Sequence, residues 1–134
     1  MKRVKTMITY ISDAVAFLHY LLDKLPPDAD RAFREAENGA ASLYLPTIAA
    51  AELHYLFERK EWIEQWSKLK VEMKKHTNFN YYSFNEEVLN LFEETKAREI
   101  HDKIIILTAK LLKAEALITK DEELHRLGEA KVLW

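Results

Sequence analysis

Glycine is scarce in this chain, 2 of 134 residues, where average usage near 7% would supply about nine. With only Gly39 and Gly128, far apart in the chain, neither GxGxxG, GxxxxGKS/T nor GxSxG occurs. That excludes a phosphate site cradled by a glycine-rich loop and a serine-hydrolase elbow. Cysteine is absent, which removes disulfides, thiol nucleophiles and cysteine-ligated zinc and is compatible with a reducing compartment. A basic excess is missing as well: 20 Lys and Arg stand against 22 Asp and Glu, a net charge of −2. The net charge therefore does not suggest non-specific nucleic-acid binding. A nuclease stays possible, because carboxylates gathered at a metal site also lower the total. Nowhere do ~18 apolar residues follow one another, so no membrane span is expected. The start places Lys2, Arg3 and Lys5 ahead of an apolar run, as a secretory leader would. Asp13 interrupts that run and no small-residue cleavage site follows. The expectation is a soluble cytoplasmic protein.

What is present suits one domain over residues 1–134. At 49% hydrophobic and 31% charged, the chain is too apolar and too nearly neutral to be disordered, and long enough to bury a core. Met7 to Ser12 reads as a strand. Ala14, Phe17, Leu18, Leu21, Leu22 and Leu25 then follow helical spacing up to Pro26-Pro27. A second helix is expected over Asp28 to Asn38, capped by Gly39. Ser42 to Leu45 reads as a strand, with Pro46 opening a helix through about Lys60. Glu61 to Lys75 reads as a helix and Asn78 to Phe84 as extended chain. Ser83 and Glu86 have capping-box spacing ahead of a helix from Glu86 to about Arg98. Asp102 to Lys113 should be a helix, Ala116 to Thr119 a strand, Asp121 to Leu127 a short helix and Ala130 to Trp134 a last strand. Strands alternating with helices imply an α/β fold, a central parallel sheet flanked by helices in three layers.

Four acids fall where carboxylates are unusual. Asp13 and Asp121 each sit where a predicted strand ends and a helix begins, which is where ligands bind in open parallel sheets. Each also suits a helix N-cap. Glu52, in PTIAAAELHYLFERK (46–60), has Ile48 and Leu56 as its i−4 and i+4 neighbours. Its carboxylate lies on an apolar stripe and needs a cation, a metal or a raised pKa, unless it escapes to water at the stripe's edge. Asp102 opens the most apolar helix, with Ile105, Ile106 and Ala109 on its own side, although a first-turn Asp also complements the helix dipole. Together the four can face one crevice with no matching basic cluster. Oxygen-only ligation of that kind suits Mg²⁺ or Mn²⁺.

These motifs resemble a PIN domain, and more narrowly a VapC-type toxin ribonuclease. ISDAVAFL (11–18) is similar to the family's first strand, acid and helix, and PTIAAAELHYLFERK to its second acidic motif. EIHDKIIILTAKLL (99–112) resembles the third, and ALITKDEEL (116–124) the fourth, with Thr119 beside Asp121. The resemblance implies metal-dependent hydrolysis of RNA phosphodiesters. Asp13, Glu52, Asp102 and Asp121 would hold one or two Mg²⁺ or Mn²⁺ ions, and Thr119 would orient water or phosphate. It also implies a homodimer and a cognate antitoxin whose tail occupies the acidic groove. The pattern departs at Ala14 and Val15, where the family often carries a Thr or Ser and then an Asn or Ser. That departure points to tuned or weakened activity, and its rival reading is a PIN-fold interaction module without catalysis. A solitary RNA-processing nuclease is a further alternative, as is another small α/β metal-dependent phosphatase or DNA nuclease.

The other residues of note fit ordinary roles. His19, His54 and His101 have no metal-ligand spacing. Trp62 and Trp66, with Arg59, Lys60, Lys68 and Lys70, could stack and steer RNA. An aromatic pair at i, i+4 more often packs, so this pair with Tyr55 and Phe57 is the expected contact region for a partner.

Overall fold

In the computed structural model, which describes residues 7–134, five strands form a single sheet. They are β1 (Ile8–Ser12), β2 (Ala41–Pro46), β3 (Phe79–Tyr82), β4 (Ala116–Ile118) and β5 (Val132–Leu133). The order is β3-β2-β1-β4-β5 and every pairing is parallel. Side chains alternate between the two faces of a strand, so consecutive buried residues mean that both faces are covered. Tyr10, Ile11 and Ser12 of β1 and all three residues of β4 are buried. The α/β architecture expected from the sequence is the one observed. Lys2, Arg3 and Lys5, the basic part of the leader-like segment, lie outside the described residues. Among the described residues, no helix is long and apolar enough to cross a membrane.

The helices are α1 (Ala14–Leu21), α2 (Pro27–Glu37), α3 (Thr47–Lys60), α4 (Ile63–Lys75), α5 (Glu86–Leu89), α6 (Ile100–Leu111) and α7 (Glu122–Leu127). Several depart from the boundaries expected. The spacing that ran to Leu25 overshoots α1, which ends at Leu21. Asp23 turns left-handed (φ 57), Asp23 N donates to Tyr20 O (3.1 Å) and Lys24 N to His19 O (2.8 Å), a Schellman closure built without glycine. The helix expected over Glu86 to Arg98 is a single turn. Asn85, not Ser83, caps it by accepting from Val88 N (3.1 Å). A 3₁₀ turn at Phe92–Glu94 follows. Side chains from elsewhere then claim the next backbone groups: Lys110 Nζ donates to Glu94 O (2.9 Å) and Lys96 N to Glu129 Oε2 (2.8 Å). Conversely, α6 starts two residues earlier than expected, because the Glu99 carboxylate accepts from Asp102 N (3.0 Å) and caps it. Lys113 lies beyond its end with φ 52. Pro46 ends β2 instead of occupying the first turn of α3.

Beneath α1, α2 and α4, four aromatic rings from Phe17, Tyr20, Phe33 and Phe79 pack with centroids 4.5–6.3 Å apart. Edge and stacked contacts of this kind add about 0.5–1.5 kcal/mol per pair beyond area burial. The Tyr20 hydroxyl leaves the cluster to donate to Glu37 Oε2 (2.5 Å) and lies 3.1 Å from Glu72 Oε2. His76 Nε2 sits 2.8 Å from the same Glu72 oxygen, and Arg34 pairs with Glu37 at 3.0 Å. Burial opposes the charge on Glu37, but the Tyr20 hydroxyl and the Arg34 guanidinium hold its carboxyl below the usual range. The network ties α1, α2 and α4 together at the end of the sheet where β3 begins. Removing a donor from carboxylates this well covered costs about 1–2 kcal/mol. Tyr20→Phe, which keeps the ring, should lose that much by urea denaturation; an unchanged midpoint would show the network to be energetically idle.

Candidate active site

The chain runs from β1 to β2 on one side and returns to place β4 on the other, so the strand order reverses between β1 and β4. At such a switch point the loops after neighbouring strands diverge and leave a crevice. Asp13 follows β1, and its N–H donates to Ile118 O (3.2 Å), carrying the β1–β4 ladder one step further. One carboxylate oxygen caps α1 by accepting from Ala16 N (2.8 Å). The other accepts from the Thr119 hydroxyl. Thr119 is fully buried, and its oxygen in turn accepts from Asp121 N (3.0 Å). Asp121 Oδ1 caps α7 by accepting from Glu123 N (2.8 Å) and Leu124 N (3.2 Å). Capping and convergence are therefore compatible: each acid closes a helix start and still reaches the crevice. The hydroxyl of Ser12 bonds the carbonyl of Asp13 (2.9 Å), away from its carboxylate.

Glu52 comes from α3 and Asp102 from the first turn of α6. With Asp13 and Asp121 they line one cleft of about 140 Å³. No Lys or Arg lines it, and among the described residues none of the four acids forms an ion pair. Two residues that the sequence did not mark for the site line it as well. Glu99 caps α6, and His101, expected to be an ordinary helix histidine, places Nδ1 2.8 Å from Glu99 Oε1. Their signal in the sequence was the spacing of Glu99 and Asp102, a cap three residues before its partner. Ala14 and Val15 face the same cleft. The support that a hydroxyl or amide there would give Asp13 comes instead from Thr119 and Ala16 N.

Burial and mutual repulsion dominate the electrostatics. Burial raises the Asp13 carboxyl against the bonds from Thr119 and Ala16, and Asp121 adds to the rise. Asp102 is pushed up to about 6, by burial first and then by Asp121, Glu99, Asp13 and Glu52. Glu52 is raised by burial, opposed by His101 and reinforced by Glu99 and Asp13. Glu99 alone is lowered, because the N–H groups of Asp102 and His101 outweigh its burial. A site that raises its own acids in this way is relieved by a proton or by a cation.

The donor set is all oxygen, which fits a hard divalent ion of the Mg²⁺ or Mn²⁺ type. Its acids do not draw three donor atoms within 4.8 Å of one another. Among the described residues the group that does is Glu37, Glu72 and His76, already engaged with Tyr20 and Arg34. The wider spacing in the cleft suits an ion that keeps part of its water shell, as Mg²⁺ commonly does.

The partner region read from the sequence needs one correction. Tyr55 and Trp62 are exposed and Trp66 is half-buried, packed on His54 with centroids 4.8 Å apart. Phe57 is fully buried and belongs to the core, because it falls on the inner stripe of α3 with Ala49, Ala50 and Leu53.

A parallel α/β sheet with carboxylates gathered beyond the strand ends at its switch point places the acids where open α/β folds bind ligands. The PIN domain model matches residues 10–130, and the chain belongs to the PIN domain family. No curated protein matches it in sequence. In structure it is similar to VapBC2 from Rickettsia felis, solved with a DNA fragment of its promoter: TM-score 0.73, 16% identity, 94% of this chain and 98% of that one covered. A toxin-antitoxin complex from Klebsiella pneumoniae aligns with TM-score 0.65 and 18% identity over 93% and 96% of the two chains. A protein from Pyrobaculum aerophilum aligns with TM-score 0.62 and 16% identity over 95% and 92%.

The raised Asp102 carboxyl predicts a pH signature. A folded-state pKa near 6, against an ordinary 3.8, means that its contribution to stability is full below pH ~4 and is lost as pH rises through ~6. Asp102→Asn removes that loss. In chelator the variant should match wild type near pH 4 and exceed it above pH 6.5 by about 1 kcal/mol, a figure discounted for solvent screening. Urea titrations at the two pH values measure it; an equal difference at both would contradict the repulsion.

Proposed function

We propose that this protein is a divalent-metal-dependent endoribonuclease, the toxin of a type II toxin-antitoxin pair acting in the cytoplasm. The observation that carries the reading is the convergence of Asp13, Glu52, Asp102 and Asp121 on one cleft free of Lys and Arg, in a chain of the PIN family. The likeness to toxin-antitoxin complexes supports the toxin assignment.

Asp13, Asp102 and Asp121 would hold the ion, directly or through water, and Glu52 would complete the set; bound there, it would supply a lowered pKa for water and neutralisation of charge on the phosphate. The chain's own groups do the rest. Thr119 locks Asp13 in place through its hydroxyl and fixes the backbone of Asp121 from the other side, so the two acids that follow β1 and β4 share one support. Glu99 and His101 pair at the cleft's edge, where the imidazole opposes the rise of Glu52 that burial and Glu99 produce. Burial of Asp13 and Asp102 makes an uncompensated charge there costly and so sharpens selection for a cation. No side chain is required as a covalent nucleophile.

A homodimer and an antitoxin are the partners of this reading. Tyr55, Trp62 and Ile63 expose apolar surface on α3 and at the start of α4, and the acidic cleft favours a basic tail. One observation favours a second reading. Ala14 and Val15 give the cleft no hydroxyl or amide of its own at the positions after Asp13, as a PIN-fold interaction module with little catalysis would have. RNA cleavage separates the two. Wild type with Mg²⁺ or Mn²⁺ should cut single-stranded RNA, and chelator or Asp121→Asn should each lower the rate more than about 100-fold. Cleavage that survives both would defeat the metal mechanism, and none at all from wild type would favour the interaction module.

A further inference from the structure

A second, larger cleft of about 500 Å³ adjoins the acidic one and shares Asp102 and Leu124 with it. Its character is opposite. Lys96, Arg98 and Arg126 line it with a single further acid, Glu123. All three cations are exposed, and among the described residues none of them forms an ion pair.

The loop that carries two of these cations is held firmly. Lys96 N donates to Glu129 Oε2 (2.8 Å) and Ala97 N to Thr95 Oγ1 (3.1 Å), and Ala97 is buried. Lys110 Nζ lies 2.8 Å from Glu129 Oε1 as an ion pair and donates to Glu94 O (2.9 Å), clamping the loop to α6. Burial works against the charge on Glu129, yet Lys110 and the Lys96 N–H hold its carboxyl at about 2. The anchor therefore stays ionised throughout the working pH range, and the side chains of Lys96 and Arg98 extend from a fixed backbone.

We propose that Lys96, Arg98 and Arg126 form a clasp for the phosphates of single-stranded RNA flanking the bond to be cut. The proposal rests on the nuclease reading above and adds where the substrate strand lies. A polyphosphate strand suits a groove with this division of charge. One phosphate lies at the acids, which tolerate it through a cation, while its neighbours lie among three unpaired cations. An acidic protein segment would meet the same cations but gains nothing from continuing into the acids. No aromatic ring lines the cleft, so it offers no platform for base stacking. Contacts of this kind position the backbone without reading sequence.

The test is fluorescence anisotropy of the full chain with two labelled single-stranded RNAs of unrelated sequence, in chelator so that strands stay intact. Arg98→Gln and Arg126→Gln are compared with wild type and with Lys131→Gln, a cation outside the cleft that pairs with Glu115 at 3.6 Å. Each cleft variant should weaken binding of both RNAs about fivefold and flatten the dependence of log K on log salt by about 0.7. Lys131→Gln should change neither, and circular dichroism should show all variants folded. Unchanged affinity and slope would overturn the clasp, as would a loss confined to one RNA. Tighter binding of a poly-glutamate peptide than of RNA, lost in the same variants, would assign the cleft to an acidic protein segment instead. The two readings fail separately: RNA cleavage with unaltered binding sinks the clasp alone, and altered binding without cleavage by wild type sinks the nuclease alone.

Discussion

Repulsion between carboxylates is the constraint around which this fold is arranged. Asp13, Glu52, Asp102 and Asp121 come from four separate elements, and burial raises Asp13, Glu52 and Asp102 alike. Left alone, such a group would open the cleft. What closes it is the framework behind: a central β1 bonded on both sides, the Thr119 hydroxyl bridging Asp13 and Asp121, and helix starts that need those same acids as caps. The caps matter because they make the acids useful before any ligand arrives. An N-cap residue contributes about 1 kcal/mol to its helix, so two of the four charges are partly offset by the secondary structure they begin.

The two ends of the sheet show two solutions to the same problem. Where β3 begins, Glu37 and Glu72 also approach closely, but Tyr20, Arg34 and His76 surround them and the network is internally satisfied. At the ends of β1 and β4 no Lys or Arg enters the cleft, and the compensation must come from outside. That contrast, more than the number of acids, separates a structural knot from a cleft whose charge is left uncompensated. The cations that might have neutralised the cleft stand next to it, on a braced loop and on α7, and pair with none of its acids.

Much of this was legible in the sequence because it rests on local rules. The change from β-like to helical period at Asp13, and again between Thr119 and Asp121, located the strand ends. Glu52 announced itself by standing on an apolar stripe. The elements misread were those decided by distant partners. Lys110 and Glu129 take over the backbone after the 3₁₀ turn at Phe92–Glu94, and a helix that local spacing favoured is cut to one turn. Phe57 looked like surface beside Tyr55 because adjacent helical residues face different ways, and the inner stripe of α3 claimed it. Glu99 and His101 were missed since their role follows from where α6 begins, and a side-chain cap moved that start by two residues.

The central claim is that the cleft at the β1–β4 switch point is built to hold a divalent cation, and crystals grown with Mn²⁺ address it most directly. Anomalous difference density should show manganese in the cleft, with oxygens of Asp13, Asp102 or Asp121 at about 2.0–2.3 Å and water completing the shell. Manganese seated on Glu37, Glu72 and His76 instead, or absent from the cleft at saturating concentration, would contradict the account.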